Sequence, residues 1–410
     1  MIRIFAISLS LSLSLPLVLA FSLSLFSTDR AVAAELSSVK VALIEYSEDS
    51  RYSDRVIESR YQAQPWGRLY DAAKIALKES KFSARAAGIN LELSRHSVDS
   101  LSQLPELLGD LDAKGTQLFM LDLPDAGVSM AATAMKASDS LLFNLSALDN
   151  SLREQQCQDN LFHIAPSRAM LTDAMAQYLV FKKWKKVLLL YGSSLDDRSY
   201  LASMRKSGKK FGLKFVAEKE YLLGSDPRER YQNNIALMTS KDDYDVVLIV
   251  DHQGEFAVDV PYAISKPRPV VGAAGLVPDW WHWNWDRNGA PQVNKRFYKK
   301  AKRHMTGYDW SAWLSVKIFT EALLRTGKQD SESLAAYLIS DQLKMDGGKG
   351  FPLNFRAWNN QLRQPVFMTS LNRVIARAPL EGFLHPTNNL DILGKDKRET
   401  TCQLKTRRAK

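Results

Sequence analysis

Cysteine is almost missing from this chain, with Cys157 and Cys402 the two in 410 residues. That excludes a small scaffold held together by many disulfides. Glycine (20) and proline (15) are too few for a collagen-like or low-complexity chain. No Gly-x-Gly-x-x-Gly follows a strand-like run, there is no phosphate-binding loop, and no nucleophile elbow is present. The Asp346-Gly347-Gly348-Lys349-Gly350 stretch reads as a flexible turn. Six histidines are scattered. Of these, His282 between Asp279 and Asp286 has the residue types of a metal site, but a solvated loop explains it as well. Neither a catalytic residue nor a cofactor or metal is therefore expected. After Ala33 no apolar run is long enough to span a bilayer.

What is present describes an exported globular protein. With 45% apolar and 24% charged residues, the chain can bury two or three full cores. Its net charge of +10 favours anionic partners, yet the excess is spread along the sequence and identifies none of them. Arg3 precedes an apolar stretch over residues 4–26, and Ala31-Val32-Ala33 supplies small residues where a signal peptidase cuts. Residues 1–33 thus read as a secretory signal peptide, with a retained anchor as the alternative. No cysteine stands near that point, so a lipid anchor is not supported and a soluble, exported chain is expected. In an oxidising compartment Cys157 and Cys402 can close one bridge, worth up to ~5 kcal/mol in the chain-entropy model. Two free buried thiols are the other reading.

One unit recurs along the chain: an apolar, β-branched run, a polar turn, then apolar residues at helical spacing. Strands are expected at 39–46, 89–95, 118–123 and 141–145, with helices at 66–85, 101–111 and 127–136 between them. The rhythm restarts after Cys157 with strands at 161–164, 187–191, 214–220, 246–250 and 270–273, and helices at 168–184, 197–211 and 227–240. Such alternation builds parallel sheets covered by helices on both faces. Beyond Trp280 come helices at 291–306, 308–325 (stopped by Gly327) and 331–340 (opened by Ser331), then short strands at 365–370 and 373–376.

That order of parts carries a resemblance. Two doubly wound units, a helix pair with Phe297-Tyr298-Lys299-Lys300-Ala301, Tyr308 and Ala322-Leu323, and a strand pair with Gln364-Pro365-Val366-Phe367 and Arg373-Val374 are similar to the type I periplasmic solute-binding proteins. These are the Leu/Ile/Val-binding-like receptors of ABC importers. Cys157 through Ser167 and Glu399-Thr400-Thr401-Cys402-Gln403-Leu404 resemble the branch encoded beside PQQ-dependent alcohol dehydrogenases. The resemblance implies an α/β fold of two Rossmann-like lobes joined by crossing strands, with a ligand cleft between them. Lobe one would be 35–150 plus 278–345, lobe two 151–277 plus 346–380, and 381–410 an extension tied by Cys402. It further implies a monomer that captures a small solute by lobe closure and presents it to a membrane permease. Reversible capture needs no catalysis. A non-transport accessory or sensor of a dehydrogenase system is the alternative, and an enzyme ranks third. Export, and the lack of the DNA-binding helical module of related repressors, argue against nucleic acid.

Open α/β sheets bind ligands outside the C-terminal ends of their strands. In the first unit those ends bring Trp66, Arg68, Asp122, Ser146 and Ala147 forward as ligand contacts. In the second they bring Tyr191, Ser193, Asp251 and His252, with Trp280 at a lobe crossing. An ordinary turn or cap role is the competing reading for each. Amino-acid receptors of this family hold the ligand carboxylate with Ser and Thr turns. Here Leu123-Pro124-Asp125-Ala126-Gly127 and Ser146-Ala147-Leu148-Asp149-Asn150 keep Ser146 alone. The carboxylates of Asp122, Asp125 and Asp149 would repel an anion unless Arg68 or a lysine offsets them. Trp280, Trp281, Trp283 and Trp285 fall within six residues. They either stack on a planar, quinone-like or alcohol-derived solute or on a partner protein, or pack beneath the following helix.

Overall fold

A computed structural model describes residues 36–53, 66–222, 231 and 233–404. The signal segment 1–33 lies outside these residues, as does part of the helix expected at 227–240.

Five strands, β1 (Ser37–Tyr46), β2 (Ile89–Val98), β3 (Thr116–Asp122), β4 (Leu141–Asn144) and β5 (Leu161–His163), form one parallel sheet in the order β2-β1-β3-β4-β5. Between them run α1 (Tyr70–Ala86), α2 (Leu104–Ala113) and α3 (Asp125–Ala134). Alternation along β1 sorts its side chains between two cores. Val39, Val41 and Leu43 pack with Ala72, Ala73 and Ala76 of α1, whereas Ala42 and Ile44 pack with Leu104 and Leu108 of α2 and Val128 of α3. A strand buried on both faces reads as a continuous apolar run, and β3 does so.

The second sheet is also parallel, in the order β7-β6-β8-β9, from β6 (Lys186–Tyr191), β7 (Lys214–Glu220), β8 (Val246–Val250) and β9 (Val270–Gly272). Helices α4 (Arg168–Phe181) and α5 (Leu195–Phe211) cover one face. The other face packs Leu188, Leu190, Val247 and Ile249 against Tyr221, Tyr244 and Phe256. The strand at 161–163, placed by its apolar pattern in the second unit, pairs with β4 of the first sheet. Apolar pattern marks it as a strand but does not choose its neighbour.

After the short strand β10 (Val277–Asp279), α6 (Ala290–Ala301) and α7 (Gly307–Thr326) return to the first sheet and pack on α1. Thr306 caps α7 in a capping box with Asp309, and Gly327 ends it at φ 63°, a left-handed stop. The cap of α8 (Ser331–Leu338) is Asp330 rather than Ser331, whose hydroxyl instead donates to Asp139 at 2.5 Å. Two small antiparallel sheets complete the chain. The first holds β11 (Met345–Asp346), β12 (Pro352–Phe355) and β13 (Leu362–Arg363); the second pairs β10, β14 (Val366–Ser370) and β15 (Arg373–Ala378) in the order β10-β14-β15.

The chain passes between the two parallel sheets at three places: from β5 into α4, through β10, and from β13 into β14. Buried side chains stitch these passages together. Gln361 donates to the Ala165 carbonyl (3.0 Å) and accepts from Arg153 (2.9 Å), while Gln364 donates to the Ile164 carbonyl (2.6 Å). Cys157 and Cys402 form a disulfide with Cα atoms 5.7 Å apart. Among the described residues no helix is long and apolar enough to cross a membrane.

Candidate functional site

A cavity of about 250 Å³ lies where the strand ends of the second sheet face the start of α7. At about 30 Å³ per water molecule it has room for a metabolite-sized solute. One wall consists of Asp251 and His252 after β8, Ala273 after β9, and Asp196, Asp197 and Tyr200 in the first turns of α5. The opposite wall holds Trp66 before α1, Trp280 after β10, and Thr306, Gly307 and Tyr308 at the start of α7. A wider depression of about 710 Å³ lies along the outside of α3, bounded by Pro105, Met130, Thr133 and Leu152. Its walls come from the first half of the chain, so closing one sheet toward the other would not enclose a solute there.

The structure brings Trp66, Asp251, His252 and Trp280 together on the cavity. Arg68 is elsewhere: its guanidinium donates to the Tyr46 and Ser47 carbonyls (2.7 and 2.9 Å) and lies 4.1 Å from the centre of the Tyr52 ring. Asp122 is fully buried, accepting from Arg51 and from the Tyr52 hydroxyl, both at 2.7 Å. The crevice beside β1 and β3, where the strand order reverses, is thus filled by the protein's own side chains. Ser146 and Ala147 are buried, and both donate backbone N–H groups to Asn144 Oδ1 (3.2 and 2.9 Å), while the Ser146 hydroxyl donates to the Leu123 carbonyl at 3.1 Å. Tyr191 is half-buried at the end of β6, and Ser193 is exposed, its carbonyl accepting from Arg198 at 3.1 Å. Neither lines the cavity.

Sequence reasoning passed over Tyr308, Tyr200, Asp196, Asp197 and Arg168, all of which line it. A signal existed for the two aspartates. Ser194 caps α5 by accepting from the Asp197 N–H, and acidic residues in a first turn mark a helix start just past the turn already singled out. Tyr308 carried no comparable signal. It stands between two indoles, edge-on to Trp66 at 5.5 Å and to Trp280 at 4.9 Å between ring centroids. The remaining tryptophans of the cluster pack inward or against α6 and its end. Trp281 donates to Asn294 (3.0 Å), Trp285 to the Gly348 carbonyl (2.9 Å), and Trp283 stacks on His304 at 4.1 Å. Packing beneath the following helices accounts for most of the cluster, and Trp280 alone of the four reaches the cavity.

The charges of the wall are unevenly compensated. Asp197 accepts from the Ser194 hydroxyl (2.6 Å) and the His252 N–H (2.7 Å), and Asp251 from the Gly254 and Ala257 N–H groups (2.8 and 2.9 Å). Every one of these donors is neutral. Burial, with Asp251 and Asp197 close by, pushes the Tyr221 phenol far above its ordinary value. Arg168 stands among three carboxylates, 3.7 Å from Asp125, 3.7 Å from Asp149 and 3.4 Å from Asp196. His282 is buried away from the cavity and accepts from the Asn284 N–H at 3.1 Å; burial lowers its pKa to about 4. Among the described residues no three His, Cys, Asp or Glu groups are placed to hold a metal ion.

Residues 117–252 match the model of a periplasmic binding protein family. No curated protein matches the sequence. Solved structures match it widely at low identity. A periplasmic binding protein from Burkholderia mallei is 15% identical, with a TM-score of 0.65, covering 90% of this chain and 99% of its own. The closed conformation of a leucine-, isoleucine-, valine-, threonine- and alanine-binding protein from Brucella ovis gives 14%, 0.69, 90% and 99%. A solute-binding protein of an ABC transporter from Rhodopseudomonas palustris, in complex with 3,4-dihydroxybenzoic acid, gives 13%, 0.62, 81% and 93%. Two parallel sheets of the same strand order, joined by three passages around a cavity at their strand ends, give this chain the two-lobed α/β fold of the type I periplasmic binding proteins.

Proposed function

We propose that the chain is the periplasmic solute-binding component of an ABC importer, which captures a small solute between its lobes and delivers it to a membrane permease by opening again. The observation that carries this reading is the cavity itself. Its walls come from the strand ends of the second sheet on one side and from the α1 and α7 starts on the other. A solute held there contacts both halves, and its binding energy favours the closed arrangement over the open one. Trp66, Tyr308 and Trp280 form an aromatic wall suited to a compact solute with a flat or apolar face. The family match over 117–252 and the solute-binding neighbours support this role.

The test is a thermal-shift screen of the purified protein against amino acids, aromatic acids, alcohols, amines and quinone cofactors, followed by small-angle scattering on each hit. A genuine solute raises the melting temperature by several degrees and shrinks the radius of gyration. A screen in which no compound does both counts against capture by closure.

A further inference from the structure

We infer that the captured solute is a small organic cation, an alkyl- or arylammonium compound that lacks a carboxylate. This rests on the solute-capture reading above and names its ligand class. Three independent features of the cavity point the same way.

First, several of the places where an anion would bind are already taken. The N–H groups of Ser146 and Ala147 converge on Asn144 Oδ1, and the Ser146 hydroxyl is turned to the Leu123 carbonyl. Helix N-termini attract negative charge. At α5 the protein's own Asp197 accepts from the capping Ser194, and at α7 Asp309 takes the Thr306 N–H and hydroxyl and pairs with Arg303 at 2.6 Å.

Second, the wall carries excess negative charge on a protein of net charge +10. Asp197 and Asp251 are 2% and 7% exposed, and among the described residues neither has an ion-pair partner. The neutral donors that hold them orient the carboxylates without cancelling their charge. Asp196 adds a third, shared at 3.4 Å with Arg168, a cation that Asp125 and Asp149 already flank. His252 reaches Asp196 at 3.6 Å.

Third, the facing wall is aromatic. Trp66, Tyr308 and Trp280 line it; the Tyr308 ring already has the Arg51 guanidinium 4.8 Å from its centre, so a ligand cation would meet the two indoles, whose quadrupoles attract it. Tyr200 also lines the cavity, and among the described residues its buried hydroxyl has no hydrogen-bond partner.

The test compares matched sets that differ in one group, by calorimetric titration of the purified protein. One set is 3-methylbutylamine, 3-methylbutanol, 3-methylbutanoate and leucine; the other is 2-phenylethylamine, 2-phenylethanol, phenylacetate and phenylalanine. The amine of at least one set is expected to bind tenfold or more tightly than its three counterparts. Asp251→Asn is expected to lose at least tenfold in amine affinity. Because Asp251 also orders its own loop, the more exposed Asp196→Asn is measured beside it and is expected to lose severalfold for the amine and nothing for the alcohol. An acid or amino acid that binds as tightly as its amine, with scattering that shows compaction, overturns the cation and leaves capture standing. Unchanged amine affinity in both variants also overturns it. If no member of either set binds, the cation reading falls, while capture is decided by the broader thermal-shift and scattering screen.

Discussion

The indole N–H of Trp280 donates to the Gly307 carbonyl at 2.7 Å, tying the crossing strand β10 to the first turn of α7. The same side chain reaches the Ser311 hydroxyl at 3.1 Å and is 5% exposed. Trp280 is therefore a structural pin as well as a cavity residue. Trp280→Ala is expected to destabilise the protein by about 3–5 kcal/mol. Trp280→Phe keeps the ring but removes the donor, and its expected cost is about 1–3 kcal/mol. Urea denaturation of the three proteins checks the order, and an alanine variant as stable as the wild type would contradict the pin.

Gly192, at the end of β6, has no room for a side chain. A Cβ there would lie 2.5 Å from Asp197 Oδ2 and 2.8 Å from the Tyr221 hydroxyl. Gly192→Ala must displace the carboxylate that faces the cavity, with an expected loss of about 1–3 kcal/mol in stability. Thermal and urea unfolding measure it, and a neutral substitution would show that Asp197 is free to move.

The C-terminal segment is docked by a buried charge. Asp391 is 1% exposed and accepts from Arg356 and Arg363, both at 2.8 Å. Removing one partner of such a group strands the others in a dry site at about 3–5 kcal/mol. Asp391→Ala should lower the unfolding midpoint and make the segment after Ala378 sensitive to limited proteolysis. Resistance equal to the wild type would mean that the disulfide and the segment's other bonds, such as those from Lys210 to the Ile392 and Gly394 carbonyls, hold it without Asp391.

Bridging Cys157 to Cys402 closes a loop across 245 residues. A loop of that length stabilises the fold by up to ~5 kcal/mol through the unfolded chain. The Cys157→Ser, Cys402→Ser double variant, unfolded in urea without reductant, should lose several kcal/mol. Wild type with added reductant should approach the same midpoint.

Two buried histidines make stability fall in mild acid. Burial lowers the His282 pKa from 6.5 to about 4 and holds His163, which also faces Arg153, well below 6.5. The unfolded chain takes up these protons near pH 6.5 and the folded one does not, so stability present above pH 6.5 is lost as the pH falls toward 4. For His282 the loss amounts to roughly 3 kcal/mol. Unfolding midpoints at pH 7, 5.5 and 4.5 for wild type, His282→Gln and His163→Gln check this. The variants should show a shallower decline, and parallel curves would rule the histidines out as its source.

Much of the architecture was legible because hydrophobic periodicity is local. The runs at β3 and β8 announce strands buried on both faces, and the apolar spacing over α7, with Gly327 behind it, announces a long packed helix. Cavity residues at strand ends, such as Asp251 and His252, follow from the general rule for open α/β sheets. Sequence did not reveal that Arg68 and Asp122 are held within the first half of the chain, because their partners are set by contacts across many residues. Asp122 meets Arg51 from 71 positions away.

By itself, then, the sequence determined the alternation of strands and helices, two sheets of one kind, and the turns where a ligand could be met. These depend on each residue and its near neighbours. The tertiary structure decided which of those turns face one another, that β5 joins the first sheet, and that donors at Ser146 and Ala147 are spent on Asn144. Those outcomes arise from the competition of buried polar groups for partners, which is settled when distant segments pack.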